Sequence, residues 1–233
     1  MNPLNITNKG NGMTAAVEEY LEAIYKMSLE DGPVIAARLA ERMKVSPPTV
    51  ADMLRRLTEH GYIKSNRKHG VSLTRKGQEA AEKLVRRHRL AERMLTDVLG
   101  LSWDEVHDEA CLLEHAISDQ VEEKLAEKLG NPETCPHGHP IPGSRAAKAE
   151  KAEKEKPAPL SQLSVGDEAV IERVAEEEPK LLQYLATLGL LPKARIRVRE
   201  IAPFKGPMLV QVAGSQYALG QEVASKIFVR KKR

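Results

Sequence analysis

The chain has 233 residues, of which 41% are hydrophobic, 30% charged and only 3% aromatic. This length allows one large domain or two small domains with a linker, and the scarcity of aromatic residues favours aliphatic, mainly helical cores. No apolar run is long enough to span a bilayer, the first residues lack an apolar signal region, and two cysteines do not make a disulfide framework. Composition therefore excludes the membrane and disulfide-rich classes and predicts a soluble, cytoplasmic protein.

The net charge of +3 conceals an asymmetry. Between Arg38 and Lys76 there are ten Lys and Arg residues against three acids, a net charge of +7, so the rest of the chain carries −4. A basic block within an otherwise acidic chain indicates a polyanionic partner such as nucleic acid.

The N-terminal third predicts a winged helix-turn-helix. Ala15–Leu29 has the apolar periodicity of a helix. Two shorter helical segments, Val34–Met43 and Thr49–His60, are joined by a tight turn in which Ser46 can cap the second segment. Two alternating segments on either side of residues 67–69 then predict a β-hairpin wing. The second short helix would enter the major groove of DNA, while the wing and the helix ends would hold phosphates.

The first turn of that second short helix would read the bases. Thr49 and Pro48 could pack on a thymine methyl group, and Ser46 could hydrogen-bond a base edge. A winged helix that binds only protein is the alternative. The candidate DNA-binding residues are Ser46, Pro47, Pro48, Thr49, Asp52, Arg55, Arg56, Lys64, Arg67 and Lys68.

The middle of the chain predicts more helix than a winged helix needs. Gly77–Val98 predicts one long helix. Ser102, with Glu105 as the partner in a capping box, predicts the start of a helix that runs to about Ser118, and residues 119–129 continue the helical pattern. This additional apolar helix indicates a dimerisation surface, whose two-fold symmetry would match a palindromic operator.

Potential metal ligands share one face of the second of these helices. At about 100° per residue, its four ligand-type side chains fall within an arc of roughly 100°. A further pair lies at i, i+4 on the long helix before it. Imidazole, thiolate and carboxylate together favour a divalent transition metal over calcium or magnesium. The four are His107, Cys111, Glu114 and His115, and the pair is His88 and Glu92.

A nucleophilic Cys111–His115 pair is the alternative for this helix. Such a pair needs a third group to orient it. No glycine-rich turn or oxyanion-type loop surrounds these two residues in the sequence. Metal binding is therefore the favoured interpretation.

The C-terminal part predicts a loop with potential metal ligands, then a linker, then a small β domain. Cys135–His139 offers three potential zinc ligands, although a closed zinc site needs four. Ser144–Pro159 has the composition of a charged, proline-ended linker between mobile domains. Beyond it, short strands and a helix at Pro179–Leu188 predict a small β-barrel. The predicted strands are Glu168–Val174, Arg195–Glu200, Met208–Val212, Ser215–Leu219 and Lys226–Val229.

With these elements placed, the chain resembles the iron- and manganese-dependent repressors of the diphtheria toxin repressor family over nearly its whole length. The resemblance is carried by the motifs at Arg87–Arg93, Val106–His115 and Gly138–Gly143. It implies a mainly α fold with small β parts, and a structural turn rather than a zinc site at the third motif. The implied domains are a winged helix-turn-helix at 1–76, a helical metal-binding and dimerisation domain at 77–143, a linker at 144–159 and an SH3-like (FeoA-like) β-barrel at 160–233.

The resemblance further implies a metal-dependent transcriptional repressor rather than an enzyme. Such a protein would bind double-stranded operator DNA as a homodimer, with one or two dimers per operator, and would control metal-ion uptake genes. It would hold Mn(II) or Fe(II) at two sites per subunit and would bind neither a membrane nor a small-molecule substrate. The implied primary ligands are Glu19, Cys111, Glu114 and His115, and the implied ancillary ligands are His88, Glu92, His107, Glu178 and Glu22.

The expected metal preference depends on a mixed ligand set. Iron-responsive members of the family place a methionine where this chain has Glu19, whereas manganese-responsive members place an acid there, use an acid matching Glu22, and commonly replace Cys111 by an acid. Carboxylate oxygen suits Mn²⁺ and Fe²⁺ while thiolate favours softer ions, so manganese is favoured with iron close behind. Glu178 falls near the family's barrel-borne acid, but Leu181 occupies the place of its polar partner.

Two other functional classes are compatible with the same sequence. One is a winged-helix regulator that senses a non-metal ligand, which metal analysis of the purified protein would distinguish. The other is a metal- or thiol-dependent hydrolase with a DNA-binding segment. A catalytic metal needs an open coordination position beside a substrate cleft, and the sequence shows no loop to build one.

Overall fold

The computed structural model describes residues 13–29, 33–66, 70–153, 156–175 and 178–231. Contacts between residues divide the chain into two compact units. The first unit combines the chain up to His88 with Leu113–Val121, and the second combines Arg89–Leu112 with Glu122–Arg233. Within the described ranges, no helix has the length and hydropathy required to cross a membrane.

The first unit contains the predicted winged helix-turn-helix. Helices α1 (Ala15–Leu29), α2 (Ala36–Met43) and α3 (Pro47–Glu59) are followed by strands β1 (Ile63–Asn66) and β2 (Gly70–Leu73). The two strands pair antiparallel in one continuous register. This order of elements confirms the predicted fold of the N-terminal region.

Local chemistry explains the start of α3 and the core beneath it. Ser46 caps the helix by accepting a hydrogen bond from the backbone N–H of Thr49. Pro47 occupies the first helical position, where a missing N–H costs nothing. Aliphatic side chains from α1, α2 and α3 form the core, and Ile24, Leu39 and Val50 are completely buried in it.

Of the helices that follow, the one that carries the potential metal ligands is shorter than predicted. Helix α4 (Arg75–Asp97) and helix α5 (Val106–Leu113) are followed by a 3₁₀ turn (Glu114–Ala116) and by helix α6 (Asp119–Lys128). The α-helix that was predicted to continue to about Ser118 therefore ends five residues earlier. The prediction that all four ligand-type side chains share one face of a single α-helix is wrong, because the tighter turn separates the last two from the first two.

The segment predicted as a linker includes a helix. Helix α7 (Arg145–Ala152) is capped by Ser144, whose hydroxyl accepts a hydrogen bond from the backbone N–H of Ala147 at 3.1 Å. Glu133 also accepts a hydrogen bond from the first turn of α7. At the other end of α7, Glu150 pairs with Arg173 of the C-terminal sheet. Side-chain partners on both flanks thus order a sequence whose composition alone suggested a mobile linker.

The C-terminal part forms an SH3-like antiparallel sheet. Its strand order is β3-β8-β4-β5-β6-β7, so the described strands form an open sheet of six rather than a closed ring of pairings. Ile171, Leu182 and Val210 are completely buried in its core. The elements are β3 (Ala158–Pro159), a 3₁₀ turn (Leu160–Gln162), β4 (Glu168–Val174), α8 (Pro179–Thr187), β5 (Arg195–Ile201), β6 (Met208–Val212), β7 (Ser215–Leu219), α9 (Gln221–Ser225) and β8 (Ile227–Lys231).

A tight loop joins the helical part of the second unit to strand β4. The backbone N–H of Val174 donates to the carbonyl of His137 at 3.1 Å. Gly138 has a φ of +92°, and a β-carbon at this position would lie 1.9 Å from the carbonyl oxygen of Glu172. Only glycine allows the loop to approach β4 this closely.

We predict that Gly138→Ala lowers the free energy of unfolding of the protein by about 3 kcal/mol, because the backbone of the loop or of β4 must shift. Gly130→Ala is the matched control: its φ is +73°, but nothing lies within 4 Å of the added carbon. The control should lose only about 1 kcal/mol, from the left-handed backbone. Urea denaturation measures both, and equal losses would contradict the close approach.

Candidate metal centre

A cluster of oxygen and nitrogen ligands lies in the first unit. Glu19, Glu114 and His115 each contribute one ligand atom, and these atoms lie within 4.8 Å of one another. The Nε2 atom of His115 is 2.9 Å from Glu19 Oε1 and 3.5 Å from Glu114 Oε1. Three of the four predicted primary ligands are therefore brought together by α1 and the 3₁₀ turn.

The other nitrogen of His115 is held by a residue that was not predicted. Glu18 Oε2 lies 2.7 Å from His115 Nδ1. Burial alone would lower the pKa of His115, but hydrogen bonds to Glu18 and Glu19 and the charge of Glu114 raise this pKa to about 10. The imidazole is thus protonated at neutral pH and donates from both nitrogens. A cation bound at Nε2 would replace one proton, while Glu18 would continue to orient the ring through the other.

Glu114 also belongs to a second group in the same unit. Ligand atoms of Glu22, His88 and Glu114 lie within 4.8 Å of one another, and all three residues are buried. The Nδ1 atom of His88 is 2.6 Å from Glu114 Oε2. One carboxylate oxygen of Glu114 therefore faces His88 while the other faces His115. The structure connects the two groups through this carboxylate.

The second unit contains a separate, fully buried cluster of Glu92, Cys135 and His137. The Nδ1 atom of His137 lies 3.2 Å from Glu92 Oε1 and 3.9 Å from the sulfur of Cys135. Its Nε2 atom donates a hydrogen bond to the carbonyl oxygen of Trp103 at 2.6 Å. Because a carbonyl can only accept, this bond places the ring proton on Nε2 and directs Nδ1 to the carboxylate and the thiol.

Sequence reasoning did not find this cluster. Cys135 and His137 were considered as zinc ligands, but the loop alone offered too few ligands, and the family resemblance implied a structural turn there instead. The further ligand comes from Glu92 on α4, which is distant in sequence. The Cys-x-His spacing was the available signal, and only the tertiary fold supplies its partner.

Two of the remaining predicted ligands lie close to each other in the second unit. The sulfur of Cys111 lies 3.9 Å from His107 Nε2, and His107 Nδ1 lies 3.6 Å from Glu92 Oε1. Glu178, at the start of α8, forms an ion pair with Lys226. In the second unit, Glu92 thus lies between His107 and His137.

The predicted DNA-contact residues that the structure describes are all exposed on the winged helix. Asp52 pairs with Arg55 at 2.6 Å, and Arg55 also pairs with Glu59 at 3.0 Å. Such exposed pairs contribute about 0–1 kcal/mol each, so a DNA phosphate can compete for the arginine. Arg67 and Lys68 lie outside the described residues. The exposed residues are Ser46, Pro47, Pro48, Thr49, Asp52, Arg55, Arg56 and Lys64.

The donor atoms of these clusters fit a divalent transition metal. Buried carboxylates are costly unless a positive charge compensates them, and a cation would supply that charge. The clusters of the first unit offer carboxylate oxygen and imidazole nitrogen, whereas the cluster of the second unit adds a thiol. Oxygen with nitrogen suits Mn²⁺ and Fe²⁺, and the thiol moves preference towards softer ions.

Three family models match consecutive parts of the chain. They describe an iron dependent repressor N-terminal DNA binding domain over residues 12–71, an iron dependent repressor metal binding and dimerisation domain over residues 74–143, and a FeoA domain over residues 158–231. The matched descriptions agree with the winged helix, the helical segment with its ligand clusters, and the SH3-like sheet.

Similar proteins extend this match over the whole chain. The iron-dependent repressor IdeR of Mycobacterium leprae is 36% identical over 229 residues, covering 95% of this chain and 99% of that protein. A manganese-dependent transcriptional repressor in complex with manganese superposes with a TM-score of 0.84 at 35% identity, covering 93% of this chain and all of that one. ScaR with bound Zn²⁺ superposes with a TM-score of 0.78 at 31% identity, covering 93% and 99%.

These relatives are transcriptional repressors rather than enzymes. The identity and coverage extend through the DNA-binding part, the ligand clusters and the C-terminal sheet. The chain therefore belongs to the iron-dependent repressor family, the family of IdeR and the diphtheria toxin repressor, and is a metal-dependent transcriptional repressor.

Proposed function

We propose that the protein is a cytoplasmic repressor that favours manganese. When loaded with metal, it would bind palindromic operator DNA and control metal-ion uptake genes. The observation that carries the proposal is the oxygen-rich cluster of Glu19, Glu114 and His115. It joins the N-terminal helix α1, which packs in the winged-helix core, to the 3₁₀ turn after α5.

The ligand residues of the first unit explain why metal would change the protein. Glu18, Glu22 and Glu114 are buried, and Glu19 lies beside them. Carboxylates held this close repel one another, and Lys26, 3.2 Å from Glu22, together with the protonated His115 supplies only part of the compensating charge. A bound divalent cation would supply the remaining positive charge. Glu19 and Glu114 would then hold α1 and the 3₁₀ turn in one fixed arrangement, and with them the DNA-reading helix.

We infer two metal sites per subunit. One lies around Glu114, where the two connected groups share a carboxylate. The other lies at Glu92, Cys135 and His137, with His107 as a neighbour of Glu92. Manganese is favoured at the first site because Glu19, Glu114 and His115 offer only oxygen and nitrogen donors. Iron is the second candidate. The thiol of Cys135 would make the other site more tolerant of softer ions.

In a homodimer, each subunit provides one winged helix to contact the DNA. The family model matched to residues 74–143 describes a dimerisation domain. Large apolar side chains are exposed on helix α5 and in the turn after α4, with Leu112 74%, Val98 63% and Leu99 60% accessible. Exposed aliphatic residues of this size are suited to a subunit interface. A two-fold dimer would match a palindromic operator, with one or two dimers bound per operator.

We predict that Mn²⁺ raises operator affinity about 5- to 150-fold in the natural protein and that Glu114→Gln removes this effect. Glu18→Ala should raise the Mn²⁺ concentration needed for half-activation by about 10- to 100-fold, because it removes the group that orients His115. Fluorescence anisotropy measures binding to DNA selected from a random pool by the metal-loaded protein.

The control for these variants is Glu127→Gln. Glu127 is exposed on α6, where it pairs with Lys124. This variant should respond to Mn²⁺ as the natural protein does. Operator affinity that is indifferent to Mn²⁺, Fe²⁺ and chelator in the natural protein would refute the proposal, and a normal response of Glu114→Gln would refute the site.

We predict that Mn²⁺ quenches the fluorescence of Trp103, the single tryptophan of the chain, when it binds at the second site. The indole ring centroid lies 5.6 Å from that of His137, within reach of a paramagnetic ion held there. His137→Gln should abolish the quenching, whereas the exposed His60→Gln should leave it unchanged. Quenching that survives His137→Gln would contradict a metal site at this cluster.

A further inference from the structure

The exposed side of strand β5 carries a row of arginines. Arg195, Arg197 and Arg199 are exposed, and they alternate with Ile196 and Val198, which are buried in the sheet core. Alternate residues of a strand lie about 6.6–6.8 Å apart on one face. The buried pair fixes the strand, so the three guanidinium groups are presented as one row on a rigid support.

The neighbours of this row leave most of its charge uncompensated. Arg199 donates to the side-chain carbonyl of Gln211, a neutral partner. Arg197 lies opposite Gln211 in the register and 3.6 Å from Glu168, and both members of that pair are about half exposed. Water screens an ion pair of this kind, so the pair weakly offsets the positive potential of the row.

Beyond β5 the chain forms a turn that exposes an aromatic side chain. The N–H of Gly206 donates to the carbonyl of Pro203 at 3.0 Å, and the two central residues, Phe204 and Lys205, both have a φ of 57°. Turns of this geometry favour Asn-Gly, because left-handed backbone strains larger residues. Phe204 is nevertheless one of two phenylalanines in the chain and is fully exposed, at 101%.

Strand and turn together form a surface with excess positive charge. We call it the β5 surface. Among the described residues of β5 and of its register partners on β4, the exposed acids are Glu200 and Glu168, fewer than the four cations of the surface. The β5 surface consists of Arg195, Arg197, Arg199, Phe204 and Lys205.

We propose that the β5 surface contacts the phosphate backbone of duplex DNA, in addition to the winged helix. The inference rests on the proposed function, since it requires that the protein binds operator DNA. Arginine side chains suit phosphate because their planar N–H groups match its oxygens. The strained turn presents Phe204 to the sugars of the same duplex. This interaction adds affinity and carries no sequence information.

The test is the salt dependence of operator binding by the full-length, Mn²⁺-loaded protein. In the triple variant Arg195→Gln, Arg197→Gln, Arg199→Gln, the slope of log affinity against log salt should fall by about 0.9 for each phosphate that the variant no longer neutralises, so by up to about 2.7. At 0.15 M salt this corresponds to about fivefold weaker binding for each such phosphate.

A control with the same change in net charge separates direct binding of phosphate from long-range attraction. The triple variant Arg145→Gln, Lys148→Gln, Lys151→Gln removes three exposed cations from α7. Its slope should stay close to that of the natural protein. Equal slopes in the two triple variants would overturn the proposal. Absence of metal-dependent binding by the natural protein would instead refute the proposed function.

The turn provides an independent test in which stability and binding move in opposite directions. Phe204→Asn with Lys205→Gly installs the favoured turn pair, so the melting temperature of the protein should rise. Operator affinity should nevertheless fall severalfold. A rise in both melting temperature and operator affinity would overturn the proposal. A fall in affinity that sedimentation traces to dissociation of the dimer would also overturn it, because the surface would then be an interface between copies of the chain.

Discussion

The structure of the first unit depends on a constraint of electrostatics: buried carboxylates must be compensated. Glu114 is completely buried, with one oxygen 2.6 Å from His88 and the other 3.5 Å from His115. Glu18 and Glu22 are buried beside it on α1. Hydrogen bonds and the protonated His115 provide part of this compensation. The cluster is therefore formed in advance but remains rich in negative charge, as a cation-activated switch requires.

The two kinds of cluster differ in ways that suit different tasks. The first connects α1 to the 3₁₀ turn, so its occupancy bears on the elements that position the DNA-reading helix. The second, at Glu92, Cys135 and His137, is held by the carbonyl of Trp103 and lies in the loop that hydrogen-bonds to strand β4. A metal ion bound there would fix the loop that holds strand β4 of the C-terminal sheet. Under the proposed function, the first cluster would be a regulatory site and the second would rigidify its own unit.

Local signals allowed much of the fold to be predicted from the sequence. Ser46 and Pro47 mark the start of α3, and the predicted strands β4, β6 and β7 have the observed limits. Helical periodicity did not predict the end of α5, because side chains there have partners elsewhere in the fold. The predicted helix ends at Leu113 because Glu114 and His115 turn towards α4 and α1.

The candidate site was predicted only in part. Resemblance led to Glu19, Glu114 and His115, which the structure brings together. It did not lead to Glu18, which orients a ligand without being one, or to the meeting of Glu92 with Cys135 and His137. Both depend on contacts between residues far apart in sequence, which the Cys-x-His spacing of the loop cannot reveal by itself.

Reciprocal coupling between metal and DNA is the central claim, and it has a direct measurement. Isothermal titration gives the Mn²⁺ affinity of the protein alone and of the protein saturated with operator DNA. If the cation fixes the DNA-binding arrangement, DNA must raise Mn²⁺ affinity by the same factor by which Mn²⁺ raises DNA affinity. Equal Mn²⁺ affinity with and without the operator would contradict the account.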